Sequence, residues 1–94
     1  MAKYRKKPVV IEAFQMTWEM RGVFSIWPQW LQDARRKEPY SESAIFNADG
    51  IYVIRTKEGC HQVTWGDWII KGIQGELYLC KPDIFKDTYE LVED

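Results

Sequence analysis

From Ala44 onward, apolar residues recur in short runs, and a turn signal interrupts them about every ten residues. Ala44-Ile45-Phe46 is followed by the turn residues Asn47-Ala48-Asp49-Gly50, and Ile51-Tyr52-Val53-Ile54-Arg55 by Lys57-Glu58-Gly59. Cys60 to Thr64, Asp67 to Gly72, Glu76 to Cys80 and Tyr89 to Val92 continue the pattern. Side chains of a strand alternate between its two faces, so each short run buries one face and wets the other. Connections this short join antiparallel neighbours. The half of the chain after residue 44 is therefore confined to consecutive hairpins, curled into a sheet or a small open barrel.

The first half adds one strand and one helix. Val9 to Phe14 is rich in β-branched residues. Val9, Ile11 and Ala13 share the face that carries no charge and are expected inward; Val10, Glu12 and Phe14 share the other. Residues 16–25 lack a period and read as a loop over the core. Trp27, Trp30, Leu31 and Ala34 recur at helical spacing, with Gln29, Gln32, Asp33, Arg35 and Arg36 around the remaining surface. Ser25 is the candidate cap, and Pro28 suits the first turn because its missing N–H would have been unpaired there. Pro39 stops the helix, and Arg35, Arg36 and Lys37 complement the negative end of its dipole. Pro82 to Lys86 suits a single helical turn that packs Phe85 and Tyr89 onto the sheet.

The expected fold is α+β: a small, mostly antiparallel curled sheet or open barrel of about six to seven short strands, with one amphipathic helix. Pairing of the first and last strands would tie down both ends. Ninety-four residues make one domain, residues 1–94, without an internal linker. Five Trp, five Tyr and four Phe offset the small core, since each buried ring removes about 150–250 Å² from water.

The formal net charge of −1 gives no overall basic footprint for nucleic acid. Lys3, Arg5, Lys6 and Lys7 cluster at the start, Arg35, Arg36 and Lys37 near the middle, and Glu90, Glu93 and Asp94 at the end. These suit solvated ends and a helix terminus; brought together, the basic clusters would make a weak phosphate patch. No apolar run reaches the ~18 residues of a membrane span, so no membrane partner is expected. Cys60 and Cys80 are too few for a disulfide framework, and reduced thiols point to a cytoplasmic protein. One disulfide stays open if strands 60–64 and 76–80 are neighbours.

A hydrolase or transferase needs a nucleophile, a base and a group that orients the base. His61 is the single histidine, and its neighbour Cys60 points to the opposite strand face. An enzyme acting on nucleotides would have to use His61, Cys80 and Asp67. One His and two distant Cys make no tetrahedral metal set, and neither phosphate-binding glycine motif is present. No metal and no cofactor are expected, and no catalytic residue is assigned.

The densest segment is Trp65-Gly66-Asp67-Trp68-Ile69-Ile70-Lys71-Gly72, followed by Lys81-Pro82-Asp83-Ile84-Phe85. Its architectural reading is turn chemistry, with Asp67 bonding backbone N–H groups and Gly66 relieving strain. Its functional reading is a ligand site. A bulge at Gly66 would bring Trp65 and Trp68 together, with Lys71, Lys81 and Tyr78 nearby to stack a base and hold a phosphate. The candidate contact residues are Trp18, Trp65, Trp68, Lys81, Arg35 and Arg36.

Tyr4-Arg5-Lys6-Lys7-Pro8-Val9-Val10-Ile11-Glu12-Ala13 and the downstream Gly66-Asp67-Trp68-Ile69-Ile70-Lys71-Gly72, Cys80-Lys81-Pro82-Asp83-Ile84-Phe85 and Thr88-Tyr89-Glu90 resemble a family of small proteins encoded by tailed phages and prophages. The Gly66-Asp67-Trp68 portion also resembles the GDY-centred motif of the small bacterial PGDYG proteins, with Trp65 where that pattern has Pro. The resemblance implies a phage origin and the cytoplasm of a bacterial host, and supplies no catalytic residue. The expected function is a non-enzymatic binding protein that modulates a host process. It would bind a host macromolecule or sequester a nucleotide-like small ligand. A small nucleotide-processing enzyme and a virion or assembly component are the alternatives. Burial of an apolar face against a second copy leaves room for a homodimer.

Overall fold

A computed structural model describes residues 2–5 and 8–92. Lys6 and Lys7 of the basic lead-in, and Glu93 and Asp94 of the acidic end, lie outside the described residues. The elements run β1 (Glu12–Gln15), a 3-10 turn (Phe24–Ile26), α1 (Gln29–Arg36), β2 (Ile45–Ala48), β3 (Ile51–Thr56), β4 (Gly59–Gln62), β5 (Trp68–Lys71), β6 (Leu77–Cys80) and α2 (Pro82–Thr88). The six strands form two antiparallel sheets of three, in the orders β1-β5-β6 and β2-β3-β4, which do not close into a barrel. The fold is the α+β arrangement that the alternation implies, with a second helix.

The hairpins follow from their turn residues. Ala48 faces Ile51 across the β2–β3 ladder, leaving the two-residue loop Asp49-Gly50. Both loop residues have positive φ, +56° and +87°, which matches the right-handed twist of the flanking strands. The Asn47 side chain accepts the Gly50 N–H at 2.8 Å and closes the loop. In the β5–β6 connection the Gly72 N–H donates to the Glu76 carbonyl at 2.8 Å, and Gly75 takes a φ of +83°.

The core lies where the sheets and α1 meet. Tyr52, Ile54 and Thr56 alternate inward along β3; Leu31 and Ala34 face them from α1, and Trp27, expected on the helix, is buried with them from the extended link between the 3-10 turn and α1. Met16, Ile45, Val63, Ile69 and Leu77 complete the cluster, with Phe14, Phe24, Trp30 and Leu79 packed against it. The loop over the core is stapled by side chains. Trp27 Nε1 donates to the Met20 carbonyl at 2.8 Å, and the Tyr52 hydroxyl to the Arg21 carbonyl at 2.7 Å.

Several local expectations are corrected. β1 begins at Glu12 rather than Val9, and its inward residues are Phe14 and, just beyond it, Met16. The charge on that face sits at the strand's outer end, where Glu12 reaches Lys71 at 3.3 Å across the ladder. A carboxylate at a sheet margin keeps its hydration and does not forbid burial two residues further on. Pro28 is the extended residue preceding α1 rather than its first helical one, and Ser25 lies in the preceding 3-10 turn and makes no side-chain cap. The single turn expected at Pro82 is a seven-residue helix. Tyr89 to Val92 follow it without forming a strand, and β1 pairs with β5 instead of with a final strand. β4 and β6 lie in different sheets, and Cys60 and Cys80 are both free thiols.

Candidate binding surface

The turn between β4 and β5 is built on Asp67. This carboxylate is only 2% exposed, and its Oδ2 accepts the backbone N–H and the hydroxyl of Thr64, both at 2.9 Å. Lys81 Nζ donates to Asp67 Oδ1 at 3.1 Å and Oδ2 at 3.3 Å, and to Thr64 Oγ1 at 2.9 Å. Gly66 supplies the required φ of +101°. The turn is clamped onto the end of β1, since the Gly66 N–H donates to the Met16 carbonyl at 2.7 Å and the Met16 N–H to the Asp67 carbonyl at 2.9 Å. The buried negative charge therefore meets four donor contacts, which is what makes its burial tolerable.

This clamp fixes Trp65 at the surface. Its ring meets Trp18 edge to face, with centroids 5.5 Å apart, and Tyr52 in the same manner at 6.4 Å. Trp18 is 54% exposed and Trp65 41%. Arg21 lies over the Trp18 ring, its guanidinium carbon 3.3 Å from the centroid, while its Nη1 donates to the Trp18 carbonyl. The result is two half-open indoles and one oriented guanidinium within a single patch. Trp18 and Trp65 are 47 positions apart, and the pairing of β1 with β5, continued by the bonds of Met16 to Gly66 and Asp67, brings them together.

The other sequence candidates lie elsewhere. Trp68 stacks face to face on Phe85 at 4.0 Å, and Phe85 contacts Tyr89 at 4.9 Å, so this indole holds α2 to the sheet. Gly66 sits in a turn and does not bulge a strand, and Trp65 and Trp68 take different ring partners. Lys81 is engaged by Asp67. Arg35 stacks on Phe24, 3.6 Å from the ring centroid, and Arg36 pairs with Asp33 at 3.4 Å. Arg21 is the patch residue that sequence reasoning missed. Its spacing of three from Trp18 is a contact distance in a tight turn, but the region's lack of period concealed the turn.

His61, Cys80 and Asp67 do line one cleft, of about 470 Å³, together with Lys57, Tyr78 and Lys81. Its chemistry disfavours attack by sulfur. Burial pushes the Cys80 thiol above its ordinary range, and the carboxylates of Asp83 and Asp67 push it further in the same direction. A thiol held protonated at neutral pH is a weak nucleophile. Asp67, the group needed to orient a base, is bonded to Thr64 and Lys81. Among the described residues, no group of three His, Cys, Asp or Glu side chains converges on a metal position. Among the described residues, no helix is long and apolar enough to cross a membrane.

A scan against protein-family models finds no match to this chain, and searches of curated proteins and of solved structures find none either. The fold and the surface define a small α+β domain that presents an aromatic and guanidinium patch.

Proposed function

We propose that the chain is a phage-derived, non-enzymatic binding protein that acts in the cytoplasm of a bacterial host by docking on a host macromolecule through Trp18, Arg21 and Trp65. One observation carries the reading: two tryptophans distant in sequence are held 5.5 Å apart and half open to solvent, with a guanidinium stacked on one of them. Tryptophan and arginine are the residue types that dominate binding energy at protein interfaces. Neither the cleft of about 470 Å³ nor that of about 440 Å³ includes these rings, which suits an extended partner surface better than an engulfed small molecule. The phage origin is supported by the resemblance of the segments Tyr4–Ala13 and Gly66–Glu90.

The test is capture from a bacterial host lysate with the native chain, in parallel with Trp18→Ala and Trp65→Ala, followed by titration of the purified partner. Loss of a hot-spot indole weakens binding by about 2 kcal/mol or more, some thirtyfold. Capture that is equal for native chain and both variants refutes the assignment of the surface. A nucleotide-like small ligand is the second reading, favoured by the guanidinium fixed beside an open indole. A nucleotide that raises the melting temperature of the native chain but not of Trp65→Ala would select it.

A further inference from the structure

The cleft of about 440 Å³ lies beside the β5–β6 turn, and its wall includes Lys37, Glu42, Ser43, Lys57, Gln74 and Glu76. A cleft of this volume accommodates a small molecule. Two of its polar side chains, Ser43 and Glu76, are almost fully buried, each only 8% exposed. The Glu76 carboxylate takes one contact, from the Gln74 N–H to Oε1 at 3.5 Å, the outer limit of a hydrogen bond. An ionised carboxylate offers about four acceptor positions, so most of its capacity is unused. Among the described residues, Glu76 Oε2 and the Ser43 hydroxyl have no partner, whereas every fully enclosed side-chain polar atom has one. Both atoms therefore open into the cleft that their residues line.

The carboxylate is held in this place by the turn. A Cβ at Gly72 would overlap it, and Gly72 has no positive φ, so what this glycine supplies is room for Glu76. The bonds from the Gly72 N–H to the Glu76 carbonyl and from the Gly75 N–H to the Gly72 carbonyl close the turn beneath it. Opposite charges share the wall without pairing. Exposed ion pairs do form elsewhere, Glu12 with Lys71 and Asp33 with Arg36, but among the described residues none joins Glu42 or Glu76 to Lys37 or Lys57. Lys37 Nζ donates instead to the Glu42 carbonyl at 3.3 Å, and Lys57 is exposed. Two carboxylates balance two ammonium groups, so the wall selects neither a cation nor an anion. A ligand that carries both signs satisfies it, because each of its charges meets a group still lacking a counterpart. We propose that this cleft binds a small zwitterion of the amino acid class, its ammonium on Glu76 and its carboxylate on Lys57 and the Ser43 hydroxyl. The site is independent of the tryptophan patch.

The experiment titrates the full chain with L-alanine and with ε-aminocaproate, which set the two charges close together and far apart. Butylammonium and butyrate are the single-charge controls, and backbone amide shifts report binding. The expected result is a saturating shift of the Ser43, Gln74 and Glu76 amides by at least one zwitterion, with each control bound about tenfold more weakly or worse. Glu76→Gln keeps the shape of the side chain and removes its charge, and Lys57→Ala removes the other partner at an exposed position where the fold is not at stake. Each variant weakens zwitterion binding by about tenfold or more, the value of a hydrogen bond to a charged group. Failure of both zwitterions to saturate these amides overturns the proposal, as does butylammonium bound as tightly as either, or binding untouched by Glu76→Gln. Tighter binding to Lys57→Ala also overturns it, because Lys57 would then be the partner of Glu76. None of these outcomes bears on lysate capture through Trp18 and Trp65.

Discussion

Asp67→Ala is the most damaging single change available in the β4–β5 turn, and its magnitude follows from the contacts. The substitution deletes two short bonds from Thr64, each 2.9 Å to a charged acceptor, and the contact with Lys81 at 3.1 Å. Hydrogen bonds to charged groups contribute about 1.5–3 kcal/mol each. The ion pair itself adds at most about 1 kcal/mol, because Lys81 is more than half exposed. The contacts are coupled, so their sum overstates the loss. About 3 kcal/mol is expected, a large fraction of the ~5–15 kcal/mol that holds a domain folded. With a urea slope near 1 kcal/mol/M, the midpoint falls by about 3 M at unchanged slope. Lys81→Ala is expected to cost only about 1 kcal/mol, since the carboxylate keeps both Thr64 donors. Lys81→Ala made on top of Asp67→Ala should add almost nothing. Urea titrations of the two single variants and the double variant measure all three values. A loss below about 1 kcal/mol for Asp67→Ala, or equal losses for the two single variants, refutes the assignment of Asp67 as the hub.

Burial raises the Tyr52 pKa above its ordinary value, against the opposing pull of Arg35 and Arg21. The neutral phenol is thus favoured in the folded chain, so its contribution is complete below the unfolded pKa of about 10 and lost as pH rises through the folded value. Tyr52→Phe should flatten the alkaline arm of a stability–pH curve, as read by urea midpoints from pH 8 to 11. Cys80 should react with iodoacetamide at pH 8 several-fold more slowly in the native chain than in urea, because its thiolate is disfavoured; equal rates count against the burial. Gly50→Ala should destabilise by about 1 kcal/mol, since a Cβ is forced to a φ of +87° in the β2–β3 loop, whereas Asp49→Gly should be tolerated.

The strands after residue 44 were legible because each carries its own turn chemistry, and Asn47 to Gly50 specifies its hairpin locally. The face of α1 was legible because Leu31 and Ala34 satisfy one period, whereas Trp27, read onto the same face, is buried from the extended residues before the helix. What could not be read depends on partners remote in sequence. Glu12 marks a solvent face only if its end of β1 is buried, and the distant Lys71 leaves that end at a margin. Tyr89 to Val92 have strand composition, but composition cannot say whether an edge is within reach. Lys81 reads as a free cation until the fold sets it on an aspartate fourteen positions away. Trp18 and Trp65 were both singled out, yet their contact depends on a β1–β5 pairing that the hairpin pattern alone does not choose.

The patch is physically continuous with the core. Phe24 meets Trp27 at 5.0 Å, Trp27 meets Tyr52 at 5.7 Å, Tyr52 meets Trp65 at 6.4 Å, and Trp65 meets Trp18 at 5.5 Å. Each ring is held by edge-to-face contact, worth about 0.5–1.5 kcal/mol beyond burial. The Tyr52 hydroxyl also ties down the carbonyl of Arg21, the residue that covers Trp18. Ordering a long side chain at an interface costs about 0.5–1.5 kcal/mol, and here much of that ordering is complete before any partner arrives. Rings that only capped a core would gain from fuller cover, and two of these five instead stand about half open at the end of a rigid file. A surface built so that its anchors are already fixed loses little side-chain freedom on contact, which is the property that the proposed docking through Trp18, Arg21 and Trp65 relies on.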